Sequence, residues 1–244
     1  MSYNNILTKI YTLKSQLDSL KPFDQFQLKN LQQWFRIAYI QNSNAIEGNT
    51  LSLSEVKVLL EDGITVGGKT LREINETLNH AEVMDNLDHF FIVNSGIQKK
   101  ILLTLHAELM KGCLEGTHCG KRRSIQVAIS GSSDICPPPS TIPRLIQQFL
   151  NDTCTPPKQL EDIARIHYDF VKIHPFVDGN GRIARLLMNA GLISLGYFPI
   201  ILPVVLRNEY IGSLRGDYFD KRYTFFLEQV YENHKDYVRF FKNK

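Results

Sequence analysis

The chain has 244 residues, 28 Lys and Arg against 25 Asp and Glu for a net charge of +3, and 43% hydrophobic residues. That is the balance of a soluble globular protein, long enough to bury about 70–75% of the surface its unfolded chain exposes without disulfides or metal staples. Basic residues are scattered apart from Lys121, Arg122 and Arg123, which leaves no charge stripe for a nucleic-acid backbone. Cys113, Cys119, Cys136 and Cys154 contain no Cys-x-x-Cys pair, and no second histidine follows His118 at zinc-finger spacing, so they read as reduced structural thiols. The segment from Met1 to Leu13 lacks the charged start and apolar run of a secretory signal. The longest apolar stretch, Tyr197 to Leu206, is broken by Pro199 and Pro203 and falls short of the ~20 residues of a membrane span. The expectation is a cytoplasmic enzyme or binding protein with no nucleic-acid and no membrane partner.

Ile6, Ile10, Leu13 and Leu17, then Leu31, Trp34, Phe35 and Ala38, fall at helical spacing on either side of a Lys21-Pro22 break and predict two helices. The second runs into residues 41–49, where Gly48 suits the left-handed turn that stops a helix. A serine ahead of Glu55, Val56, Leu59 and Leu60 marks a new start, and Gly63, Gly67 and Gly68 mark a loop. From Thr70 a long helix is predicted through Leu71, Ile74, Leu78, Ala81, Val83, Met84 and Leu87. Another spans Ile101 to Met110, with Leu102, Leu105 and Leu109 buried. Between Arg123 and Pro139, Ile125, Val127 and Ile129 alternate with Gln126 and Ala128 ahead of a Ser-Gly-Ser-Ser-Asp turn, the signal for one short β-hairpin. Helical spacing returns at Ile142, Leu145, Ile146 and Phe149, at Ile163, Ile166, Phe170 and Ile173, and at Ile183, Leu186, Leu187, Ala190 and Ile193. Nothing divides the chain, so one mainly α domain with a single hairpin is expected.

Between the last two of these helices lies His174-Pro-Phe-Val-Asp-Gly-Asn-Gly-Arg182, followed by Arg185. Gly179 and Gly181 bracket Asn180 in a loop that opens a helix, so backbone amides and the helix dipole together form an anion site. Arg182 and Arg185 sit in the first turns of that helix, where cations oppose the dipole. Their placement makes sense when several negative charges bind, since guanidinium forks match phosphate oxygens. Asp178 in the same loop would repel a polyphosphate unless a divalent cation lay between them, which points to Mg²⁺ held by one carboxylate plus phosphates. His174, at the other lip, is placed to take a proton from an incoming hydroxyl, since the unperturbed pKa of histidine lies close to working pH.

This signature resembles that of the Fic domain family. The resemblance implies a Fic fold, a helical bundle with one small β-hairpin flap, and transfer of AMP from ATP to a Ser, Thr or Tyr hydroxyl of a target protein, with release of pyrophosphate. It implies that His174 is the base, that Asp178 holds Mg²⁺, and that the amides from Gly179 through Asn180 to Gly181 cradle phosphates. Arg182 would stabilise the leaving pyrophosphate, Arg185 would hold the γ-phosphate, and Phe176 would anchor the loop in the core. Residues 126–130 look like the family's flap, which places Ile129, Ser130, Gly131 and Ser132 against the nucleotide. Tyr210 would meet the adenine, but Ile211 stands where relatives commonly carry a second tyrosine.

A second motif, Ser43-Asn-Ala-Ile-Glu47-Gly, resembles the inhibitory motif of Fic proteins of the class that carries its inhibitory helix ahead of the catalytic one. In that class the glutamate pairs with the second arginine of the signature, here Arg185. The resemblance implies that residues 1–50 hold the inhibitory helix within the same globule and 51–240 the Fic core, that the enzyme is off at rest, and that a homodimer is among its assemblies. Removal of AMP assisted by Glu47, or transfer of another nucleotide such as UMP, are the alternative chemistries on this site. A module that only binds nucleotide is the third reading, against which the intact His174, Asp178 and Arg182 speak.

Overall fold

Runs of apolar residues spaced three and four apart fold as helices because that spacing gathers apolar side chains on one face and leaves polar ones in water. The computed structural model describes residues 3–65, 67–86, 96–128, 134–216 and 218–242. Among these there are ten α-helices: α1 (Tyr3–Ser19), α2 (Gln25–Ile46), α3 (Leu53–Glu61), α4 (Leu71–Asp85), α5 (Lys99–Leu109), α6 (Ile142–Asp152), α7 (Leu160–Ile173), α8 (Asn180–Ser194), α9 (Arg207–Leu214) and α10 (Phe219–Lys242). Local chemistry sets their ends. Asp24 accepts the Gln27 amide at 2.9 Å at the start of α2, and Ser52 with Glu55, and Thr70 with Glu73, close reciprocal capping boxes on α3 and α4. At the other end of α2, Glu47 is the C-cap and Gly48 turns left-handed at φ +103°.

The main core surrounds α7 and α8, which pack along one another, with α10 against α7 and α1 against α10. Ring contacts run from Phe149 to Phe170 at 5.6 Å and from Phe170 to Phe176 at 6.4 Å, so the aromatic core reaches the loop after α7. Burying each such ring contributes about 1.5–3 kcal/mol. A smaller cluster, including Ile37, Ile40, Leu51, Val56, Leu59 and Ile74, fastens α3 and α4 to one side of α2. Held from both sides, α2 brings its C-terminal end to α8.

The mainly α architecture agrees with the sequence reading, but some details differ. Among the described residues the predicted hairpin contributes only an isolated antiparallel bridge between Ala128 and Ile135. Ile129, Ser130, Gly131, Ser132 and Ser133 lie outside the described residues, as does Leu87. Side chains join the two limbs at their base: Gln126 Nε2 donates to the Cys136 carbonyl at 2.8 Å, and Arg123 donates to the carbonyls of Ile125 at 3.0 Å and Pro137 at 2.6 Å. Trp34, Leu71 and Leu78, read as members of apolar faces, are 55%, 75% and 42% exposed, because each lies at the edge of its helix's buried stripe. Past Ile193, the last residue of the predicted periodicity, α10 buries Tyr223, Phe226, Val230, Tyr237 and Phe241 at the same helical spacing. No helix among the described residues is long and apolar enough to cross a membrane.

His80, His106, His167 and His234 are all buried. Burial pushes the pKa of each below the ordinary 6.5, to about 4 for His106 and His234. The unfolded chain therefore binds more protons than the folded one once the pH is below 6.5. The stability these neutral rings contribute is complete above that value and is lost as the pH falls toward their folded pKa values. The urea midpoint is expected to drop steadily from about pH 7 to about pH 5; a midpoint that stays level across this range would refute their burial as neutral groups.

Candidate active site

Helix α7 stops at Pro175, which cannot extend it, and His174 turns the chain by adopting φ 49°, ψ 60°. It is the sole non-glycine residue with positive φ among the described residues. Its surroundings hold this disfavoured conformation in place. The His174 amide donates to Phe170 O at 3.1 Å, and its carbonyl accepts from Arg123 Nε at 2.7 Å. The Arg123 amide donates to Pro175 O at 2.9 Å. On the ring, Nδ1 lies 3.3 Å from Val171 O, so Nδ1 carries the proton and Nε2 keeps its lone pair. Burial holds the His174 pKa below the ordinary histidine value, against the opposing pull of the Val171 carbonyl and the Glu47 carboxylate.

The loop that follows is closed by one side chain. Asn180 accepts the Phe176 amide and returns its own amide to Phe176 O, each at 2.9 Å. Gly179 caps α8 at φ +79°, where a Cβ would come within 2.8 Å of Met110 Sδ, so both conformation and space demand glycine. Beneath the loop, the His106 ring stacks on Phe176 at 3.9 Å. His106 Nδ1 accepts the Gly120 amide at 2.8 Å, which leaves the proton on Nε2 to be donated to Asp178 O at 3.1 Å. Asp178 itself accepts the Gly179 amide at 2.6 Å and pairs with Arg72. Burial alone would raise its pKa, but Arg182, that amide and Arg72 hold it below the usual carboxylate value.

Both arginines of α8 are 1% exposed. Arg185 is enclosed by the end of α2: Nε donates to Ser43 Oγ at 2.9 Å, and Nη2 to Ser43 O and to Glu47 Oε1, each at 2.8 Å. Its Nη1 reaches Tyr210 Oη at 3.4 Å, and that hydroxyl also meets His167 Nε2 at 3.0 Å. Burial opposes the Arg185 charge, but the Glu47 carboxylate and the Tyr210 and Tyr39 hydroxyls more than restore it. Arg182 is less well served. It lies 3.5 Å from Asp178 Oδ1 and 3.3 Å from Glu76 Oε1, and its Nε and Nη1 have no hydrogen-bond acceptor. A buried guanidinium with unmatched donors at a helix N-terminus has the chemistry to accept anionic oxygens.

Glu47, His174, Asp178, Asn180, Gly181, Tyr210 and Ile211 are among the residues that line one cavity of about 140 Å³, and the buried Arg185 and Arg182 stand behind it, paired to its Glu47 and Asp178 carboxylates. The structure thus brings together every predicted site residue it describes. Ile129, Ser130, Gly131 and Ser132 fall outside it. Sequence reasoning missed Arg72, Glu76, His106 and Arg123. Arg72 and Glu76 stand four apart on a capped helix, a spacing that reads as an ordinary surface ion pair. His106 and Arg123 act through backbone atoms distant in sequence, which no local pattern announces. Replacing Phe176 by alanine removes both the core anchor and the platform for His106, and should cost about 3–5 kcal/mol in chemical unfolding; a loss below about 1 kcal/mol would mean that the loop does not depend on its anchor.

Residues 96–192 match the Fic/DOC family. The chain is 32% identical over 214 residues to the protein adenylyltransferase fic-1 of Caenorhabditis briggsae, an alignment that covers 86% of this chain and 41% of that protein. It therefore spans less than half the length of this relative. A Fic domain containing signaling protein from Bacteroides thetaiotaomicron superposes with a TM-score of 0.84 at 23% identity, covering 97% of each chain. Residues 134–508 of Fic-1 from Caenorhabditis elegans superpose with a TM-score of 0.80 at 25% identity, covering 97% of this chain and 72% of that one. The matched segment contains both the loop and the two buried arginines of α8, so the chain carries a Fic/DOC family domain over residues 96–192.

Proposed function

We propose that this chain is an autoinhibited protein adenylyltransferase that moves AMP from ATP to a Ser, Thr or Tyr hydroxyl of a target protein, with residues 1–50 restraining a core of 51–240. The observation that carries this reading is the buried Arg185, gripped by Glu47 at 2.8 Å, beside an Arg182 whose inner donors lack acceptors. One guanidinium is occupied by a carboxylate of the chain itself, and the other is ready for phosphate.

The residues fit a nucleotide with its metal. Arg182 offers unmatched donors, the α8 N-terminus offers amides beside Gly181, and Asp178 offers an anionic oxygen to the cavity. Asp178 would hold Mg²⁺, which when bound neutralises charge between adjacent phosphates. In the transfer step the target hydroxyl oxygen attacks the α-phosphorus and the bond to the β-phosphate oxygen breaks. Pyrophosphate leaves with the bonding pair, and the hydroxyl proton passes to His174 Nε2. Arg182 and the loop amides stabilise charge that gathers on the departing oxygens, where fixed donors act without reorganising. His174 needs no charge change to begin, because burial keeps it neutral. Glu47 opposes the reaction by occupying Arg185, so a γ-phosphate must displace the Glu47 carboxylate from the buried guanidinium before the nucleotide settles in an attackable posture.

Incubation with α-labelled ATP tests this. Strong self-labelling is expected from Glu47→Gly, little from wild type, and none from Glu47→Gly with His174→Ala; equal labelling of wild type and Glu47→Gly would remove the brake from the proposal. The pH dependence adds a second test. The base works only when neutral, so labelling by Glu47→Gly should hold as the pH falls to 6.5 and decline only below it. An acid limb above that value would mean that His174 is not the group that takes the proton.

A further inference from the structure

Glu47 is not the only carboxylate set against the two arginines. Glu76 of α4 is 6% exposed and points one oxygen at Arg182 Nη1, 3.3 Å away. Its other oxygen accepts from Asn49 Nδ2 at 3.1 Å, and Asn49 also donates to Glu73 O at 3.0 Å, so the turn that holds Glu47 is stitched to α4. One helical turn before Glu76, Arg72 donates from Nε to Glu76 Oε1 at 3.1 Å and from Nη2 to Asp178 Oδ2. Three cations, Arg72, Arg182 and Arg185, thus interleave with three anions, Glu47, Glu76 and Asp178. The formal charges balance three against three, although Arg182 Nε and Nη1 keep no hydrogen-bond acceptor.

We propose that Arg72 forms a second latch on this site, separate from Glu47: Arg72 occupies the Asp178 oxygen that a divalent cation would take, and Glu76 is the fixed carboxylate that positions both Arg72 and Arg182. The inference rests on the nucleotide reading above and extends it to metal access. Arg72 has the mobility the role needs, since its side chain is 52% exposed and can leave Asp178 without disturbing the core. Glu76 is buried and fixed, so it holds Arg182 in line while Arg72 exchanges with the incoming cation. The Asn49 link makes the two latches neighbours in one polar network, because moving the turn that carries Glu47 also pulls on Glu76.

Calorimetric titration of ATP into the full chain at graded Mg²⁺ concentrations tests this, with Glu47→Gly as the parent. Adding Arg72→Gln should lower the Mg²⁺ concentration that gives half of the ATP binding by about threefold to fivefold, the factor an ion pair of this exposure represents. Arg72→Lys, which keeps a cation over Asp178, should remain close to the parent. An unchanged half-point in Arg72→Gln would reduce Arg72 to a structural pair. Weaker binding of ATP with Mg²⁺ in that variant would make it a ligand for the nucleotide; either result overturns the latch. Failure of the Glu47→Gly parent to bind ATP at any Mg²⁺ concentration would instead sink the nucleotide reading itself, and the latch with it.

Discussion

Two guanidinium groups are buried in the first two turns of a helix whose dipole repels them, and most of what surrounds the site exists to make that tolerable. A charge taken out of water needs partners with good geometry, and leaving one unmatched costs several kcal/mol. Arg185 finds its partners at the end of α2, in Ser43 and Glu47, and behind it in Tyr210. Arg182 is only partly matched, by Asp178 and Glu76. The second core cluster follows from this need: by fastening α3 and α4 to α2, it delivers Glu47 and Glu76 to the two arginines from adjacent elements.

Rigidity is supplied beneath the loop. The Phe149, Phe170 and Phe176 rings continue into the His106 stack, so the floor of the site is an extension of the main core. His106 fixes the Asp178 carbonyl, Asn180 ties both ends of the loop, and Arg123 holds His174 from the side of the 125–137 segment. Each of these acts on backbone atoms. The site side chains keep few such ties of their own: His174 uses only Nδ1, on Val171 O, and Asp178 accepts one backbone amide, from Gly179, beside its arginine partners.

Much of this was legible in the sequence, for reasons that differ from residue to residue. Apolar periodicity found α1 to α8 because amphipathic helices on one core must repeat every three to four residues. The same rule misjudged Trp34, since a face edge and a face centre look alike in one dimension. His174, Asp178, Arg182 and Arg185 could be read together because a tight loop and one helix keep them within a dozen residues. Glu47 was accessible through its position before Gly48, at the end of a predicted helix. Arg72, Glu76, His106 and Arg123 could not be read, since their partners in the site lie between 51 and 106 residues away along the chain, and only the packing of α4, α5 and the 123–125 segment against the loop brings them close. The alternating 125–129 run signals a ladder, yet its base is held by the Gln126 and Arg123 side chains.

His174 sits where the backbone by itself would select glycine or asparagine, the residues that adopt a left-handed conformation at little cost. Drift at this position, unopposed, runs toward a smaller side chain that fits the turn better and carries no imidazole. If His174 is the base as proposed, an inert descendant of this protein would be the more stable one, and thermal robustness in a set of variants would be a poor guide to which of them still work.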